Sequence, residues 1–181
     1  MPSPLFCDHC HSLYPAEGGD HFTLLGIERK FNLDQNELRQ RYLQISRAVH
    51  PDYHGTGERA AASVILSARL NEAYRVLADP ALRAEYLLEL AGGPSAAADK
   101  HVPPDVLAAT FALREQIADA KASQSEAVLA DCRERVRQMH SAAMQQVADL
   151  ARRLPGDAEL RQQLRGALNT VRYAQKLQSE L

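Results

Sequence analysis

The chain is punctuated most sharply at His50-Pro51-Asp52, which stands between two stretches whose apolar residues recur every three or four positions. Proline fixes its own φ, has no N–H to donate and disfavours helical backbone at the residue before it, so a helix arriving here must stop. Upstream, Asp34 offers an N-cap oxygen with Glu37 at the capping-box position, and Leu38, Tyr42, Ile45 and Val49 follow at spacings of four, three and four. Downstream, a second pattern starts at Glu58 and runs through Leu66, Leu70, Ala73 and Leu77 to Asp79-Pro80. Pro80 then suits the first turn of a shorter helix ending at Gly92. Each stripe needs an apolar partner, and the nearest is the other stripe. The expectation is a pair of antiparallel helices clasping a charged loop, with Arg39, Arg41 and Arg47 off the buried stripe of the first helix. His50 reads either as part of a contact loop or as a cap at the negative end of the helix dipole.

The remainder is also helical in pattern, so the fold class is all-α. Gly92-Gly93-Pro94-Ser95 and the alanines after it combine helix-stopping and small residues, and Pro103-Pro104 closes the segment, which marks residues 92–103 as a linker. From Asp105 a helix reaches about Ala122. A longer one carries Leu129, Cys132, Val136, Met139, Ala143, Val147, Leu150 and Leu154 on one stripe, and Pro155-Gly156-Asp157 separates it from a last helix burying Leu160, Leu164, Ala167, Val171 and Ala174. Loops this short make neighbours antiparallel, as in an up-down-up three-helix bundle. The domain reading is a 1–19 segment, a 20–91 helical domain, a 92–103 linker and a 104–181 bundle.

The first bundle helix has two apolar faces. Val106, Leu113, Ile117 and Ala120 share one, while Leu107, Ala108, Phe111 and Ala112 lie around the other side, followed by Glu115 and Asp119. One face serves the bundle. The other is left for solvent, for the N-terminal domain or for a separate protein, and contiguous exposed apolar surface commonly marks an interaction site.

Composition narrows the function classes. The 181 residues, 45% hydrophobic, suffice for one good core or two small ones, and a formal net charge of -2 provides no global attraction to nucleic acid or anionic lipid. No apolar run approaches the ~20 residues a bilayer span needs. The N-terminus lacks the basic-then-apolar order of a secretory signal and is not an Arg-rich presequence. Three cysteines are too few for a disulfide scaffold and suit a reducing compartment, so a cytoplasmic location is expected. His50 with Asp52, or with His54, superficially suggests acid–base or metal chemistry, yet no nucleophile motif, phosphate loop or second carboxylate cluster accompanies them. The chain is not expected to be an enzyme.

The His-Pro-Asp loop, the run Asn71-Glu72-Ala73-Tyr74-Arg75-Val76-Leu77, Pro80 and the Arg83-Ala84-Glu85-Tyr86 segment resemble the J domain, over about residues 20–91. The Leu87-Leu88-Glu89-Leu90 continuation is similar to one branch, the HscB-type co-chaperones of iron-sulfur cluster assembly. That resemblance implies a J domain, a short linker and a C-terminal three-helix bundle that holds the cluster scaffold protein. It implies two partners, a DnaK/HscA-type ATP-dependent chaperone and the iron-sulfur scaffold. His50, Pro51 and Asp52 would meet the chaperone, with Arg39, Arg41 and Arg47 as a basic face for its acidic surface, unless those arginines are merely solvated. Leu43 stands where many J domains carry a basic residue. Leu107, Phe111, Glu115, Asp119, Arg172, Tyr173 and Leu177 would form the scaffold site, with Ala108 and Ala112 smaller than is usual there. The rival reading keeps the J domain and gives the bundle a different client.

Cys7-Asp8-His9-Cys10-His11 has the spacing of one zinc knuckle, whereas structural zinc sites usually need two. It resembles the second half of the tetracysteine domain that precedes the J domain in longer HscB-type proteins. Metal at Cys7 and Cys10 would need dimerisation or a remote ligand; a degenerate remnant or a redox-sensitive thiol pair are the other readings. No resident cofactor is expected. Cys132, on the core stripe of its helix, reads as a small buried hydrophobe.

Overall fold

The computed structural model describes residues 19–53 and 57–181. Among them are seven α-helices and no strand: α1 (His21–Leu25), α2 (Gln35–Ala48), α3 (Glu58–Ala78), α4 (Pro80–Leu90), α5 (Pro104–Ala122), α6 (Glu126–Ala151) and α7 (Ala158–Ser179), with a 3-10 turn at Pro51–Tyr53. The chain divides into two compact units, one up to Arg83 and one from Ala84, the boundary falling inside α4.

In the N-terminal unit the termini of α1 and α2 are set by side chains. Asp20 caps α1 by accepting from the Thr23 N–H, and Asp34 caps α2 by accepting from the Asn36 and Glu37 N–H groups at 2.8 and 3.1 Å. Gly26 ends α1 in the left-handed conformation, at φ 62°, where a side chain would be strained. The helices α2 and α3 are antiparallel: Tyr42 stacks on Tyr74 and donates to Asn71 at 3.0 Å, while Val49, further along α2, meets Ser63 and Ser67 nearer the start of α3. Phe22, Leu25, Leu38, Ile45, Val49, Leu66, Leu70, Ala73 and Leu77 close the core between them and α1. Arg83 is buried too, donating to the Leu77 carbonyl at 2.6 Å and lying 5.1 Å over the Phe31 ring. Burial pulls its pKa below the ordinary guanidinium value, with nearby Asp79 acting in the opposite direction.

The C-terminal unit is an up-down-up bundle of α5, α6 and α7. Leu113, Ile117 and Ala120 from α5, Leu129, Cys132 and Val136 from α6, and Leu177 from α7 form one continuous core cluster. The sequence stripe for α7 is buried throughout, but burial there is wider than the stripe: Arg165, Leu168, Asn169 and Thr170 are buried as well. The added contacts come from residues 84–103. Arg165 grips the Glu85 carboxylate with both guanidinium nitrogens, one at 2.9 Å, and Arg172 shares it at 3.3 Å. The Asn169 amide donates to the Asp99 and His101 carbonyls at 3.1 and 2.9 Å while its oxygen accepts from Arg165 Nε. Residues 92–103 contain no helix. Gly93 packs so closely that a Cβ there would overlap the Leu88 side chain.

The Arg165 side chain is fully buried, and Glu85 is the carboxylate that compensates its charge. Glu85→Ala should therefore lower the stability of the C-terminal unit by about 3 kcal/mol. A joint Glu85→Leu, Arg165→Met replacement should cost distinctly less, because it leaves no uncompensated charge. Urea unfolding followed by circular dichroism measures both; equal losses would show that the pair's charge is unimportant.

Candidate functional site

The loop at the tip of the α2–α3 hairpin is built from the end of α2. Val49 is fully buried and its N–H still bonds to the Ile45 carbonyl at 3.0 Å, so the helix is intact up to the residue before His50. The Val49 carbonyl cannot continue the ladder, because Pro51 and the turn interrupt it. Two serines of α3 take it instead: Ser63 Oγ, fully buried, and Ser67 Oγ at 3.2 Å both donate to that oxygen. The loop thus leaves a carbonyl fastened from below. Tyr53 N–H then bonds to the His50 carbonyl at 3.0 Å, which closes the 3-10 turn around Pro51 and Asp52.

Local hydrogen bonding sets the chemistry of the two polar side chains. His50 Nδ1 lies 3.3 Å from the Asp52 N–H, an arrangement in which Nδ1 accepts and the imidazole proton resides on Nε2. His50 and Asp52 keep side-chain exposures of 51% and 83%. The Asp52 carboxylate is 3.5 Å from Nδ1, close enough to pair only if the ring is protonated. Otherwise it is an open acceptor beside a ring N–H donor, a combination suited to a bidentate cation and a neighbouring acceptor on another protein. The Tyr53 ring stands edge-on to His50 with centroids 6.1 Å apart.

The three arginines do not share one face. Arg39, Leu43 and Arg47 follow at intervals of four, which places them on one side of α2, the last of them three residues before His50, and Arg39 and Arg47 are exposed. Arg41 falls on another side. It is half-buried and lines a cleft with Gly26, Ile27, Glu28, Lys30, Leu33, Asp34 and Glu37. The basic face leading to the loop is therefore Arg39 and Arg47, and Arg41 is removed from it by the helical register. Among the described residues neither Arg39 nor Arg47 takes part in an ion pair.

On the bundle, α5 buries Thr110, Leu113, Ile117 and Ala120 and half-buries Val106. Leu107, Ala108, Phe111, Ala112, Glu115 and Asp119 are exposed, with Phe111 at 62% the most exposed large apolar residue of this unit. Tyr173 of α7 is half-buried and exposed Arg172 is occupied by Glu85. Leu177 has to be withdrawn from this surface. It is fully buried in the cluster with Leu113 and Val136, because it continues the Val171–Ala174 stripe by one more turn. Cys132 is fully buried, on the core stripe as read from the sequence. Cys7, Cys10, His9, His11 and His54 lie outside the described residues.

Comparison with known proteins adds two family matches in the same order as the two units. A DnaJ domain model matches residues 20–86, and a model described as the HSCB C-terminal oligomerisation domain matches residues 102–181. Among solved structures, the human co-chaperone protein HscB superposes with a TM-score of 0.83 at 24% identity, covering 99% of this chain and 89% of that one. Chaperone HscB from Vibrio cholerae superposes with a TM-score of 0.69 at 28% identity, covering 90% of this chain and 94% of that one.

Ser63 and Ser67 carry no periodic signal, and only the three-dimensional contact reveals them as supports of the loop. Replacing both with alanine leaves the Val49 carbonyl without those donors, at an expected cost of about 1–3 kcal/mol. Hydrogen exchange should locate the effect, with the amides of His50, Asp52 and Tyr53 exchanging faster while those in the middle of α2 keep their protection relative to global stability. Uniform acceleration across the unit would show that the serines act on the core and not on the loop.

Proposed function

The chain belongs to the HscB-type J-domain co-chaperones of iron-sulfur cluster assembly, and from that premise we propose that it stimulates ATP hydrolysis by a DnaK/HscA-type chaperone and hands that chaperone the iron-sulfur scaffold protein. The observation that carries the first half is the loop: His50 and Asp52 stand exposed on a turn anchored through the Val49 carbonyl to Ser63 and Ser67. A co-chaperone of this kind needs no catalytic group of its own. It needs a contact surface whose shape survives binding, since only a pre-ordered surface favours one state of the partner without first losing entropy to order itself. In this reading the Asp52 carboxylate receives an arginine of the chaperone and His50 Nε2–H donates to a neighbouring acceptor on the same chaperone. Arg39 and Arg47 accelerate encounter with an acidic surface.

The second half rests on the outer face of α5. Leu107 and Phe111 are apolar and exposed at one helical turn's spacing, with Glu115 and then Asp119 beyond them. Large exposed side chains beside charges have the makeup of an interface centre and its rim. We read this face as the scaffold site, with Tyr173 at its edge. The work is assigned to the cytoplasm; among the described residues no helix is long and apolar enough to cross a membrane.

His50→Gln should abolish stimulation of a DnaK-type ATPase while the melting temperature barely moves, because the side chain is half exposed. Loss of folding in parallel would remove the argument. Leu107→Ala with Phe111→Ala should weaken scaffold binding by about 2 kcal/mol or more, read by calorimetric titration, with ATPase stimulation in the absence of scaffold preserved. An unchanged scaffold affinity would assign this face to another client.

A further inference from the structure

Single exposed leucines carry little information on a protein surface. Leu43 differs by its position. It is 41% exposed on the α2 row Arg39, Leu43, Arg47, which runs toward the loop at His50, between two arginines that make no ion pair among the described residues. Beyond the end of that row Tyr53 is 76% exposed, its N–H bonded to the His50 carbonyl and its ring edge-on to the imidazole. The face that leads to the loop is therefore not purely basic. It presents an aliphatic side chain on α2 and an aromatic ring beside His50, with the guanidinium groups of Arg39 and Arg47 in no ion pair among the described residues.

Building on the chaperone-docking reading above, we propose that Leu43 and Tyr53 are specificity-determining apolar anchors of that face. The partner surface they fit is an apolar recess of the ATPase chaperone with carboxylates at its edge for Arg39 and Arg47. Three features argue for this occupant. Leu43 lies within the arginine row and Tyr53 is continuous with the His-Pro-Asp turn, so a protein that covers His50 meets both. Arg39 and Arg47, exposed and without an ion pair among the described residues, are complementary to carboxylates on the partner. Tyrosine is also a residue type enriched among dominant interface contacts, having a large ring and few rotatable bonds to immobilise. A face held by charge alone loses most of its affinity once salt screens it, whereas apolar burial is not screened. Leu43 and Tyr53 supply the portion that salt leaves intact and that a chaperone lacking the recess would not receive.

The test titrates full-length protein into a purified HscA-type chaperone with ATP, reading the half-maximal concentration and the maximal rate at about 0.05 M and about 0.3 M salt. Leu43→Ala with Tyr53→Ala should raise the half-maximal concentration about tenfold or more at both salts and leave the maximal rate close to wild type. Arg39→Gln with Arg47→Gln should raise it chiefly at the lower salt. Leu43→Met with Tyr53→Phe should restore it to within about twofold of wild type, since apolar bulk is retained. Should the alanine pair melt early, Leu43→Gln with Tyr53→Asn is judged by the same criterion. His50→Gln runs alongside. An unchanged half-maximal concentration for the apolar variants, together with loss of stimulation by His50→Gln, overturns this inference and leaves the docking reading standing. Full stimulation by His50→Gln overturns the docking reading and this inference with it.

Discussion

The helices of this protein persist because each meets a partner along a limited buried face. In α2 only Leu38 and Ile45 are buried, and α5 buries one row of four residues while its opposite side faces water. Isolated helices of such length are marginal in water, so the burial of one stripe against another provides most of their stability. Everything useful follows from that economy. The face of α2 that the core does not use leads to His50, and the face of α5 that the bundle does not use presents Leu107 and Phe111.

Much of this was legible in the sequence because it is local. The Asp34 cap, the stop at Pro51, the two stripes of the hairpin and the three bundle helices each depend on spacings within a dozen residues, and the helices are found where the spacings place them, except that α6 ends at Ala151 and leaves Leu154, read as its last stripe position, in the turn before Pro155. What stayed hidden depends on pairing across the chain. Arg165 looks like a solvent-facing arginine, yet it is fully buried because Glu85, 80 positions earlier, meets it. Leu177 was one stripe position too far along α7 to be recognised as core. Arg41 was grouped with Arg39 and Arg47 by charge, whereas helical register separates it from them. Ser63 and Ser67 read as ordinary helix residues, and only the antiparallel packing brings both to the Val49 carbonyl.

In the function proposed for this chain, the two contact surfaces differ in physical kind. The loop is a polar display whose geometry is fixed by hydrogen bonds to its own backbone: Asp52 N–H to His50 Nδ1, Tyr53 N–H to the His50 carbonyl, and serine hydroxyls beneath. Such a surface suits a transient encounter that must be repeated with each ATP cycle. The α5 face is formed by residues of one helix, with Leu107 and Phe111 exposed and the acidic Glu115 and Asp119 beyond them. A co-chaperone that carries a client to an ATPase needs one surface of each sort.

In the proposed function this one chain couples the client to the chaperone's ATP cycle. The direct measurement is the ATPase rate of a purified HscA-type chaperone with the iron-sulfur scaffold alone, with this protein alone, and with both. If the account holds, the two together stimulate the rate by more than the product of their separate factors, and the excess disappears when the scaffold cannot bind α5. A rate with both present that equals the product of the separate effects would mean that client and chaperone are handled independently, and would contradict it.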